Sequence, residues 1–181
     1  MKTTGLLGLL AATLLAGCGG DATTFNTRLS AAENLIDIID AAGVTPIASM
    51  PSGGDANYTG TALLEINEVD YFIGNADISV DFDTPAAAAS GSLTSFVDES
   101  DVAAPGILAI TGGVITDNSM AMNAAGTLTL PSGGTPGTAT IDIDLLTAFS
   151  GPSAEYITAI GTTVGSGGTD PDRSALIVVA D

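Results

Sequence analysis

From Tyr58 to the end of the chain, apolar residues return at every second position. A chain with that period buries its apolar side and pairs its backbone only as sheet. Tyr58, Gly60, Ala62, Leu64 and Ile66 share one face of a first strand, with Thr59, Thr61 and Glu65 on the other. Ala76, Ile78, Val80 and Phe82 alternate with Asp77, Ser79 and Asp81, while Ile141, Ile143 and Leu145 oppose Asp142 and Asp144. Such strands have one buried and one wet face. The alternation also runs through 120–130 and 139–149, and in weaker form through 89–97, 107–115, 156–165 and 174–180.

About eight strands follow, separated by Gly, Pro, Ser and Asp clusters that suit an antiparallel meander closed as a barrel or stacked as a sandwich. Gly60, Gly74, Gly91, Gly112, Gly126 and Gly161 lie in or beside these strands. Glycine weakens a flat strand but permits bends and close backbone approach in a strongly curved barrel. The fold class expected is therefore all-β, a single antiparallel eight-stranded β-barrel preceded by a short N-terminal α-helix.

For that helix, Ser30 and Glu33 have capping-box spacing, Leu35, Ile38, Ile39 and Ala42 recur at helical intervals, and Gly43 suits the end. A helix of about 12 residues is marginal alone, so its stripe is expected to pack on the domain in preference to a second copy. Pro46, Pro51 and Ser52-Gly53-Gly54 then mark the start of the regular body.

Upstream, Lys2 precedes the apolar segment Leu6 to Leu15, followed by Ala16, Gly17 and Cys18. As a helix the apolar segment spans about 15 Å, half a bilayer core, which fits a cleaved signal and not a membrane span. Leu15-Ala16-Gly17-Cys18 has the form of a bacterial lipobox, and Cys18 is the one cysteine of the chain. Its thiolate is the nucleophile toward a lipid donor. The expected organisation is a signal peptide over 1–17, a lipidated tether over 18–29, helix and linker over 30–45, and the barrel domain over 46–181. The membrane is thus a partner through Cys18, and Gly19 after the cysteine favours the outer membrane, at the cell surface or periplasmic face.

Composition closes off most chemistry. The net charge is −18, and beyond the signal only Arg28 and Arg173 are basic, so nucleic acid and anionic lipid are poor partners. With no histidine, no second cysteine and no lysine after Lys2, serine–histidine and cysteine–histidine pairs, Schiff-base lysines and histidine-rich zinc sites are excluded. A non-enzymatic protein is expected, with no catalytic, cofactor-binding or metal-binding residue assigned.

Several groups are candidate sites. Asp98, Glu99 and Asp101, or Asp170 with Asp172, offer hard oxygen ligands for calcium but lack EF-hand spacing, and solvated acidic loops are the default. Asp142 and Asp144 point the same way from one strand, as a carboxylate pair or as an outward polar face. Met120, Met122, Tyr58, Tyr71 and Tyr156 suit either a ligand pocket or core filling. Gly165-Ser166-Gly167-Gly168 lacks the lysine of a phosphate loop and reads as a turn.

Over 46–181 the motifs resemble the barrel domain of the transferrin-binding protein B family of bacterial surface lipoproteins. The resemblance rests on Tyr58-Thr59-Gly60 after a Pro-Ser-Gly-Gly turn, Gly74 with Ala76, Val80-Asp81-Phe82, Ser90-Gly91-Ser92-Leu93, and above all Phe149-Ser150-Gly151-Pro152-Ser153-Ala154-Glu155. It implies an eight-stranded barrel on the outer membrane or cell surface that binds a protein partner or a small ligand, in nutrient or iron acquisition. The chain departs from that family in being one short barrel, strongly acidic and without histidine, so transferrin binding is not carried over. The other reading is a structural or protective envelope lipoprotein without a specific ligand.

Overall fold

The computed structural model describes residues 24–66, 70–84, 88–131, 137–163 and 173–181. Cys18, the lipobox, Asp170, Asp172 and Gly165 to Gly168 lie outside them. Among the described residues one α-helix, α1 (Phe25–Ala42), and a 3-10 turn (Ile47–Ser49) precede nine strands: β1 (Asp55–Ile66), β2 (Asp70–Asp81), β3 (Ala89–Asp98), β4 (Ala103–Ala104), β5 (Gly106–Thr116), β6 (Ser119–Leu130), β7 (Gly137–Ser150), β8 (Tyr156–Thr163) and β9 (Arg173–Ala180).

Eight strands close into an antiparallel ring in the order β1, β2, β3, β5, β6, β7, β8, β9 and back to β1. The short β4, absent from the sequence reading, pairs with β3 outside the ring. Closure leaves the sheet without a first or last strand, which removes the edges that invite aggregation. The inward phase is the one the alternation marks, with Tyr58, Leu64, Ile78, Met120, Ile143 and Phe149 in one continuous core.

Two bulges bend the wall, and each shifts the alternation of its strand by one residue. In β3 an extra residue falls opposite β2 between Ile73 and Asn75, and Ser95 takes φ 56° there. In β5 the register slips between Gly112 and Val114, with φ 90° and 83° at Gly112 and Gly113. Val114 consequently points outward, 52% exposed.

The helix differs from its sequence reading. It starts at Phe25, not at Ser30, so Arg28 is helical and not part of a tether. Two caps outcompete the Ser30–Glu33 pair. The Thr24 side chain accepts from the Thr27 N–H, and the Asp101 carboxylate, distant in sequence, accepts from the Phe25 N–H at 2.6 Å. The buried face is Phe25, Ala32 and Ile39, whereas Ile38 is 51% exposed. The helix does pack on the domain, against Tyr156, Leu176 and Val178 on the outside of the wall. Arg28 donates to the carbonyls of Ile73 and Ser95, so its guanidinium satisfies a carbonyl at the β3 bulge. Partial burial lowers its pKa. The helix therefore runs along the barrel from the Asp101 end to the opposite one, where Gly43 and Thr45 meet the β7–β8 turn.

Candidate functional site

The interior of a small closed barrel is either filled by side chains or left open for a ligand. Tyr58 and Met120 are fully buried and Met122 nearly so, all in the shared core. Tyr71 and Tyr156 instead lie on the outer face, Tyr71 donating to Glu65 and Tyr156 packing under α1. The five residues do not converge on a pocket, and three of them are core filling.

The segment Phe149 to Glu155 closes one end of the barrel. The Tyr58 hydroxyl donates to the Ala154 carbonyl at 2.6 Å, and Thr45, fully buried, donates from Oγ1 to the Gly151 carbonyl at 2.8 Å. Gly151 N–H reaches Gly43 O, Thr45 N–H reaches Phe149 O, and Asn118 Nδ2 reaches Thr45 O. The Glu155 carboxylate accepts from Ser153 N–H. The motif and Tyr58, far apart in sequence, thus form one hydrogen-bonded plug that also fastens the end of α1. Its role is structural.

Burial, with the charges of Asp181 and Glu155 behind it, raises the Tyr58 phenol well above its ordinary 10.0. The folded phenol keeps its proton where the unfolded one loses it. Stability is therefore whole below about pH 10 and falls above it by about 1.4 kcal/mol per pH unit until the folded group titrates. Tyr58→Phe is expected to cost about 1–2 kcal/mol at neutral pH, because the Ala154 carbonyl is left buried and unpaired. It should also flatten the alkaline slope. Urea titrations at pH 7 and above pH 10 check both, and an unchanged slope would refute the assignment.

Asp98, Asp101, Asp142 and Asp144 are accounted for by their partners. Asp98 Oδ1 accepts from Ser100 and Val102 N–H in its own turn, and Asp101 caps α1. Asp142 and Asp144 project outward, and Asn123 Nδ2 donates to both, at 2.8 and 3.3 Å. Among the described residues no cluster of three or more potential metal ligands occurs.

What the sequence reading missed is on the outer wall. Val114, Ala121, Leu146, Ile160, Leu176, Leu63 and Ile73 are successive cross-strand neighbours, forming an apolar row around β5 to β2. Cross-strand neighbours on one face lie within contact reach. The helix covers one half, leaving Ile73 buried and Leu176 packed. The other half is bare, with Leu146 67% and Ile160 58% exposed. A shallow depression of about 360 Å³ sits there, bordered by Asp144, Leu146, Ile160 and Gly161. Its signal was legible in the doublets Leu63-Leu64, Phe72-Ile73, Leu145-Leu146 and Leu176-Ile177. Each breaks the alternation where the outer face turns apolar.

No protein-family model matches the chain, and no curated protein does. Solved structures do match it in fold. A transferrin-binding protein B of Haemophilus parasuis superposes with TM-score 0.58 at 18% identity, over 76% of this chain and 28% of that one. The isotype 1 protein of serogroup B Neisseria meningitidis gives 0.54 at 19%, over 76% and 27%. Intact Ap-TbpB, with its N and C lobes, gives 0.51 at 16%, over 76% and 28%. The chain thus spans little more than a quarter of the length of those proteins. The fold expected from the Phe149–Glu155 motif and its companions is the fold observed.

Proposed function

We propose that a barrel of the transferrin-binding protein B fold, carried on a lipidated Cys18, serves here as an outer-membrane or cell-surface binding module for a protein partner, without catalysis. The observation that carries this reading is the filled core inside a fold shared with proteins named for binding transferrin. With Tyr58, Met120 and Phe149 occupying the interior, recognition falls to the outer wall and loops. Nutrient or iron acquisition is the role that the likeness favours. Among the described residues none selects transferrin itself.

Anchoring follows from acyl-chain energetics, since each buried methylene contributes about 0.8 kcal/mol and two or more chains hold stably. Cys18→Ser is expected to abolish incorporation of labelled palmitate and to move the protein from the membrane fraction to the soluble one. Membrane retention of the variant would refute the anchor. A haem titration separates the two ligand classes. A filled core predicts no rise in melting temperature, and a clear rise would favour a small ligand instead.

A further inference from the structure

The apolar row around the barrel is continuous, yet α1 covers only part of it. Leu176 lies under the helix while its cross-strand neighbour Ile160 and the next, Leu146, stand in solvent. We infer that the bare half, Val114, Ala121, Leu146 and Ile160, is the docking strip for a basic amphipathic helix of a partner protein. The inference rests on the reading of the barrel as a protein-binding module and specifies what that partner presents.

Three observations carry it. The first is continuity with the α1 interface, where this chain already seals the row with an amphipathic helix packing Ala32 and Ile39 on the wall. The second is spacing. Neighbouring strands stand about 4.8 Å apart, and helix residues three or four apart lie about 5–6 Å from one another. On the curved wall of the ring, two apolar side chains three or four positions apart on a helix therefore match neighbouring strands, here Leu146 on β7 and Ile160 on β8, with Ala121 and Val114 farther round the row. Ala121 within the strip and Ala148, the next outward residue of β7 after Leu146, are small and let a helix approach closely.

The third is charge. One step along β7 from Leu146 stands Asp144, on the rim of the depression, and beyond it Asp142, the two tied together by Asn123. Lysine or arginine flanking the apolar stripe of an incoming helix would meet these carboxylates. A second copy of this chain, with net charge −18, brings repulsion instead, and so does an anionic lipid surface.

The test uses the full-length chain and a fluorescent 18-residue helical peptide of leucine, alanine and lysine with one apolar stripe. Fluorescence anisotropy reads the affinity. Leu146→Ser with Ile160→Ser keeps the net charge and changes only exposed positions, so the melting temperature should hold while affinity falls at least about tenfold. Asp142→Asn with Asp144→Asn should weaken binding several-fold and reduce its salt dependence. Equal binding by the serine variant, or equal binding of a scrambled peptide of the same composition, would overturn the strip in favour of diffuse charge attraction. So would sedimentation showing a dimer that the serine variant abolishes, or binding to anionic vesicles that it removes. None of these outcomes bears on the Cys18 anchor, whose own failure would be read in the membrane fractions.

Discussion

Replacing Gly126 with alanine should lower the stability of the barrel by about 3 kcal/mol or more. Gly126 faces Leu108 across the β5–β6 ladder, and an added methyl would run into the Ile107 carbonyl oxygen with the Leu108 Cα at 3.0 Å. Both obstacles are backbone, so no side chain can rotate away. Relief requires β5 and β6 to move apart, which strains a ring whose neighbours are already fixed by their own ladders. Gly137, at the start of β7, is the internal control, since nothing lies within 4 Å of its would-be Cβ. There alanine should change stability by less than about 1 kcal/mol, in either direction. Urea denaturation of the two variants side by side checks the contrast. With the usual denaturant slope of about 1–3 kcal/mol per molar, the Gly126→Ala midpoint should fall by about 1 M or more. Equal midpoints would show that curvature does not depend on close approach at this glycine.

Truncating Phe149 to alanine is expected to cost about 3–5 kcal/mol, the usual range for a buried aromatic whose site cannot collapse. The ring is fully buried and sits 5.7 Å from that of Phe82, so both the packing and a ring pair are lost. The backbone of the same residue accepts from Thr45 N–H and donates to Asn118 O. The plug and the end of α1 therefore depend on a well-placed β7 terminus. Hydrogen exchange gives a second readout. Residues 43–45 should exchange faster in Phe149→Ala than strand amides in the middle of β6 and β7, because local opening needs only the plug to loosen. Uniform acceleration across the chain would mean that the plug is not a separate cooperative unit.

The strands were legible because burial of one face forces period two, and that signal survives any detail of packing. Every expected strand forms, β2 from as early as Asp70, with shifts of a few residues at other ends. The glycines were legible for a similar reason, since only close approach gives an inward Gly126 a use. The helix start was not. Its cap comes from Asp101, whose position is set by the β3–β4 turn and leaves no trace near residue 25. The helical stripe was misassigned because Ile38 is as apolar as Ile39, and only the wall decides which faces inward. The motif at 149–155 identified the fold, but its work is to close the barrel, as its bonds to Tyr58 and Thr45 show. For the binding surface, the alternating pattern drew attention to Asp142 and Asp144, while the doublets that violate it carried the information.

The course of α1 along the barrel also sets a compass. Thr24 leads into the helix at the Asp101 end, whereas Gly151 and Asp181 lie at the opposite end. Five residues lie between Cys18 and Thr24, six Cα steps with a reach of at most about 20 Å. Under the proposed lipidation of Cys18, this reach holds the Asp101 end near the bilayer and leaves the plugged end at the far end of α1. The bare strip, on the flank between them, is then presented sideways, where a neighbour embedded in or leaning on the same membrane would meet it edge-on.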